Sequence, residues 1–264
     1  MRLEYDVQIN PFPIILSIGT IKKPKLNEIF DNLKGMSFEK FIQYEIFLKL
    51  TPEEFYTKVK KNEGGISFWC SLDETIKSEM TLYDIIVKDE QLQKIYIEIL
   101  NFFFIEKVIF EGKMFLLLKS DSDDYSVQNI KGIINRENFN EILNILCQIC
   151  CINSDEVSKD VKFKNNLAKK LYEKMLNSQK NSKLNFDLTI PNIISSVATM
   201  HSSLNYINIW DLTIFQLWDS FYRLRANSFF DIDKTRVSVW GDKDNVFDPA
   251  RWYKNYYNLN HNSL

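Results

Sequence analysis

The chain has 264 residues, 45% of them hydrophobic, with 20 Phe and 12 Tyr, and it carries 33 Lys plus Arg against 35 Asp plus Glu. That is enough apolar material for one large domain or two small ones, and it excludes the intrinsically disordered class. A formal charge of −2 excludes a global basic field that would attract nucleic acid, so any such binding has to rest on a local patch.

The N-terminal stretch MRLEYDVQINPFPIILSIG interrupts its apolar run with Glu4, Asp6, Pro11 and Pro13, so it is expected to be mature sequence and not a secretory signal. With only seven glycines and six prolines, each one works as punctuation. KKPKLNEIFDNLKG predicts a helix entered at Pro24 and left at Gly35, and SFEKFIQYEIFLKL a second one with Ser37 as N-cap. TPEEFYTKVKKNEGG predicts a third, with a Thr51/Glu54 capping box, Pro52 at its first position and Gly64 as its stop.

GISFWCSL reads as a short strand, and TLYDIIVKDEQLQKIYIEILNFFF as one or two helices with an apolar face. VIFEGKMFLLL is two apolar runs split at Glu111-Gly112, a hairpin signal, since glycine supplies the positive φ of a tight turn. The acidic SDSDDYS leads to KGIINR as a third strand, and RENFNEILNILCQICC is a helix.

Residues 153 to 187 are polar and rich in Lys and Asn, which sets them off as a lysine-rich helical connector between an N-terminal part, 1–152, and an aromatic-rich helical part, 188–264; one continuous domain remains the alternative. In the C-terminal part, TIPNIISSVATMHSSLN begins a helix at Thr189. NIWDLTIFQLWDSFYRLRANSFF begins a longer one capped by Asn208, apolar on most sides and therefore expected to be buried on most sides.

The polar constellations are poor in chemistry. His201 and His261 are the two histidines, too few for most triads or histidine-metal sites. CQICC has metal-like spacing, but only Cys70 and distant histidines could complete four ligands, and its cysteines lie in the apolar run of a helix, so they are expected to be reduced and unmetallated. In GDKDNVFD, an EF-hand reading from Asp242 puts Phe247 where glycine is needed and Tyr253 where a bidentate glutamate is needed. Asp242, Asp244 and Asn245 are therefore read as a turn, and Asp248 as a cap for a helix entered at Pro249. No phosphate-cradling glycine loop occurs, so no cofactor, metal or catalytic residue is expected. The lysines of 158–183 could meet phosphates, but without arginine and with few aromatics they favour a solvated face over nucleic-acid recognition. No apolar window is free enough of charge to span a membrane.

Four blocks, GTIKKPKLNEI (19–29), MTLYDIIVKDEQL (80–92), TIPNIISSVATMHSSLNYINIWDLTIFQLWDSFYRL (189–224) and VSVWGDKDNVFDPARWYKN (237–255), together resemble a family of phage tail-morphogenesis proteins. The family belongs to phages and phage-derived tail particles of low-GC Gram-positive bacteria. The resemblance implies a non-enzymatic role in tail assembly like that of tail assembly chaperones, in the host cytoplasm, with tape-measure, tail-tube or similar tail proteins as partners. Incorporation as a structural component of the particle is the alternative, and nucleic-acid binding through 158–183 the second. The residues expected to meet a partner are Trp210, Trp218, Tyr222, Trp240, Arg251, Trp252 and Tyr253, since aromatics interspersed with arginine make interface hot spots. Further copies of the same chain are also candidate partners. The expected fold is α+β, predominantly α-helical, with a small antiparallel hairpin or three-stranded sheet near residues 104 to 135.

Overall fold

The computed structural model describes residues 2–119, 129–152, 189–242 and 247–254. SDSDD, the lysine-rich connector and the tip of the acidic turn, with Asp244 and Asn245, lie outside the described residues. The fold is α+β and mostly helical, and the chain divides into two compact units, Met1–Ile152 and Asn153–Leu264.

The first unit opens with α1 (Tyr5–Ile9) and a hairpin of β1 (Ile14–Leu16) and β2 (Gly19–Ile21) that the residue pattern did not announce. Two glycines explain where it packs. A Cβ on Gly19 would stand 2.4 Å from Leu117 Cδ2, and one on Gly132 would stand 2.0 Å from the Ile18 carbonyl oxygen. The hairpin turn thus lies directly on the central sheet, an approach only glycine permits. A buried carboxylate ties the same place: Glu106 accepts the Thr20 N–H at 2.8 Å and pairs with the exposed Lys131. Lys23, also buried, donates to the Asn10 carbonyl at 2.8 Å and to the Val7 carbonyl, closing the end of α1.

The first expected helix breaks into α2 (Leu26–Ile29) and a 3-10 turn Asn32–Lys34, because the Asp31 carboxylate accepts the Leu33 N–H at 3.2 Å and starts a new turn. Ser37 caps α3 (Phe38–Leu48), accepting the Lys40 N–H at 3.2 Å. The Thr51/Glu54 box starts α4 (Pro52–Glu54), which widens into a π turn, Phe55–Val59, and closes through Lys61–Glu63 at left-handed Gly64. GISFWCSL is not a strand. It forms α5 (Gly65–Ser71), whose Phe68 and Trp69 rings pack on Tyr56 at 4.8 and 5.8 Å, so side-chain packing on the preceding turn overrides its strand propensity.

After α6 (Glu74–Glu79), the next apolar segment splits into α7 (Leu82–Ile86) and α8 (Glu90–Phe103), with Asp89 capping the latter through the Leu92 N–H at 2.9 Å. Leu92, Tyr96, Ile99, Leu100 and Phe103 form the buried stripe of α8. The hairpin expected at Glu111-Gly112 joins β3 (Lys107–Glu111) to β4 (Met114–Leu118), and β5 (Ile130–Ile134) completes a three-stranded antiparallel sheet in the order β3-β4-β5. Gly112 and Lys113 both have positive φ, 58° and 65°, as a two-residue turn of this twist requires. The side-chain amide of Asn101 bonds both the N–H and the carbonyl of Val108 at 2.8 Å, which occupies the outer edge of β3.

Finally α9 (Phe139–Ile149) lays an apolar face on the sheet. Phe139 stacks on Phe115 at 6.1 Å and meets Tyr83 and Tyr96 edge-on at 5.1 and 5.6 Å, and Tyr96 donates to the Phe47 carbonyl at 2.6 Å. Cys147 and Cys150 are buried in this core, and all four cysteines are free. Burial pushes the Cys147 thiol up to about 11 and the Cys150 thiol upward as well, so neither ionises near neutral pH.

Candidate interaction surface of the C-terminal unit

The second unit is built on two helices. α10 (Ile190–Met200) buries Ile193, Ile194 and Val197 and ends at His201, whose Nδ1 accepts the N–H groups of Ser203 and Leu204 at 3.2 Å. The imidazole thus serves as a local cap for the turn after the helix. The turn that follows is fastened by polar side chains. Asn205 and Asn208 exchange side-chain to backbone hydrogen bonds at 2.8 and 3.2 Å, and Trp210 donates its indole N–H to the Tyr206 carbonyl at 2.8 Å.

Asn208 therefore closes this turn and does not cap the long helix. The cap is Thr213: its hydroxyl accepts the Gln216 N–H at 3.2 Å while the Gln216 side chain accepts the Thr213 N–H at 3.0 Å. From there α11 runs Ile214–Trp240 in one piece, further than its first apolar stretch implied.

The two halves of α11 differ. In the first half Ile214, Phe215, Leu217 and Ala226 are buried, while Trp218 stacks on Tyr222 at 5.7 Å with both rings half-buried. The expectation of a helix buried on most sides is thus corrected, since Trp218, Phe221, Tyr222 and Leu224 keep part of their surface in solvent. In the second half an apolar stripe is open to solvent: Phe229 is 44% exposed, Ile232 63%, Val239 64% and Trp240 72%. At about 100° per residue these four, with Arg236 between them, fall within roughly a quarter turn of one another. The seven contact residues expected from the sequence do not include Phe229, Ile232 and Val239, whose spacing becomes visible as a stripe only once the helix is known to continue to Trp240. Trp240 itself is the last helical residue, and Gly241 leaves the helix at φ 76°.

The return segment is tied down by the acidic residues that first suggested a cation site. Asp242 accepts the Phe247 N–H at 3.0 Å, and Asp248 accepts the Ala250 N–H at 3.0 Å and pairs with Lys254. The helix expected after Pro249 is a single 3-10 turn, Arg251–Tyr253. Among the described residues no group of three or more His, Cys, Asp and Glu side chains is placed to hold a metal ion.

The return packs on the adjoining face of α11 and reaches the edge of the open stripe at Phe229. Phe247 packs on Phe230 at 5.6 Å, and Arg251 donates to Asp233 at 2.8 Å with its guanidinium 5.5 Å from the Phe229 ring. With Arg251 held against the helix, Trp252 and Tyr253 are left 54% and 61% exposed, their rings 5.1 Å apart.

The structure therefore divides the seven expected contact residues. Trp240, Trp252 and Tyr253 are open to solvent; Arg251 anchors the return; Trp218 and Tyr222 stack on each other; and Trp210 has its N–H satisfied within its own turn. No helix among the described residues is long and apolar enough to cross a membrane.

Residues 178–257 match the model of the YomV second domain, a phage-associated family. Comparison with curated proteins and with solved structures gives no match. The matched segment contains α10, α11 and the described return as far as Lys254.

Proposed function

We propose that the chain is a non-enzymatic phage protein that takes part in tail assembly by binding other tail proteins, and that the open stripe of α11 with Trp252 and Tyr253 is its contact surface. The observation that carries this reading is the exposure of Phe229, Ile232, Val239, Trp240, Trp252 and Tyr253 within a segment matching a phage-associated domain. A soluble helix that leaves four large apolar residues on one face gains most by covering them against a partner, at roughly 25 cal/mol per Å² of apolar surface removed from water. Tryptophan and tyrosine beside arginine are the residue types that dominate such interfaces.

The partners implied are a tape-measure protein, a tail-tube protein or another tail component, and the site of action is the host cytoplasm. The protein as a chaperone leaves the particle; as a structural part it stays. Mass spectrometry of purified particles separates the two: absence, with recovery of the protein bound to a tail protein in the lysate, supports the chaperone role, and stoichiometric presence in particles overturns it.

A further inference from the structure

The π turn Phe55–Val59 and the Gly64-Gly65 pair shape an open depression of about 370 Å³ in the unit Met1–Ile152. Gly65 is what lets it form, because a Cβ there would stand 2.3 Å from the Tyr56 carbonyl oxygen and 2.7 Å from that of Lys60. The backbone of α5 thus rests directly on the preceding turn. The depression has a mixed lining: Phe55 and Ile85 are buried at its base, Tyr56 and Phe68 supply its apolar surface beside the charged rim, and Phe68 remains 46% exposed although it touches Tyr56.

The charges at its edge are unevenly matched. Both acidic groups of the lining, Glu63 and Asp89, are engaged by one cation, Lys60, at 2.9 and 3.5 Å. Lys88, also in the lining and exposed, has no ion-pair partner among the described residues.

We infer that this depression is a second docking site, for a partner protein segment that places one large apolar side chain against Tyr56 and Phe68 and sets a carboxylate on Lys88. The volume lies at the small end of ligand pockets and suits one side chain better than a cofactor. The apolar lining supplies affinity, and the unmatched ammonium selects an acidic segment over a basic one. Because it lies in the first unit, the site stands or falls apart from the α11 surface.

The test is an NMR titration of the full chain, followed through backbone amides, with three pentapeptides: a tryptophan between two pairs of glutamates, a tryptophan between two pairs of lysines, and an alanine between two pairs of glutamates. The glutamate-tryptophan peptide is expected to give saturable shifts at Tyr56, Phe68 and Lys88 at about millimolar concentration, with each of the other two at least roughly tenfold weaker. Lys88→Glu, a surface change that leaves the melting temperature in place, should weaken the first peptide roughly tenfold, and Phe68→Ala should do the same through the apolar lining. Shifts centred elsewhere, equal binding of the lysine peptide, or undiminished binding by Lys88→Glu would each overturn the assignment.

Discussion

Glu45 is half-buried on α3, near enough to Cys147 and Cys150 on α9 for its charge to act on both thiols. Burial lifts its carboxyl to about 7, and Lys49 one turn later pulls it back only in part. The folded chain therefore keeps this proton over a range where the unfolded chain, at the ordinary 4.5, has lost it. By linkage, stability falls as pH rises from 4.5 towards 7 and levels off above, a loss of up to about 3 kcal/mol. Glu45→Gln removes that slope, so melting curves of the two proteins should converge near pH 4.5 and separate by pH 7.5, with the glutamine variant the more stable. Cys151 offers a second local test. It sits at φ 55° just past α9, where the Ile152 N–H bonds the Cys147 carbonyl at 2.8 Å in a helix-ending arrangement that normally takes glycine. Cys151→Gly is expected to raise stability by roughly 0.5 to 1 kcal/mol in denaturant melts. Asp242→Asn keeps an acceptor for the Phe247 N–H and should shift the melting temperature little, whereas a loss of structure on this change would reopen the cation reading.

Elements with strong local signals were legible in the sequence. Ser37 before α3, the Thr51/Glu54 box, and Gly112 between two apolar runs each satisfy a specific backbone demand of the chain next to them, so the residue types announce the structure. What the pattern concealed depends on distant partners. The hairpin β1-β2 is only six residues of strand, and it is set in place by Gly132 and Glu106, more than eighty residues away. α5 has the composition of a strand and becomes a helix because Tyr56 receives its rings. In α11 the error ran the other way: Asn208 and Asp211 imitate a helix start, and the Thr213/Gln216 box five residues later is the true one. Thr213→Ala, which removes one arm of that box, is expected to cost the second unit about 1 kcal/mol, read as a loss of helical signal at lower temperature. Gly132→Ala should cost considerably more in the first unit, since its Cβ meets backbone and not a side chain that can turn away.

At the scale of the whole molecule, two compact units carry different kinds of surface. The first closes its sheet edge with Asn101 and its core with Phe139, and it leaves a small depression open. The second leaves a long stripe of apolar residues uncovered on a helix that is otherwise well capped. Of that surface the sequence yielded Trp240, Trp252 and Tyr253, because tryptophan and tyrosine are conspicuous by type. It withheld Phe229, Ile232 and Val239, because a stripe has meaning only on a helix of known extent. The proposed role requires that this stripe bind a tail protein. Its most direct measurement is recovery of tail proteins with a tagged copy of the chain from an induced host, comparing the native sequence with the triple variant Ile232→Ser, Trp240→Ser, Trp252→Ser. The variant is expected to keep its helical signal and melting temperature, since all three side chains are mostly in solvent, and to show at least a tenfold loss of the co-purified tail protein and of assembled particles. A correctly folded variant that retains its tail partner and supports normal particle numbers would contradict it.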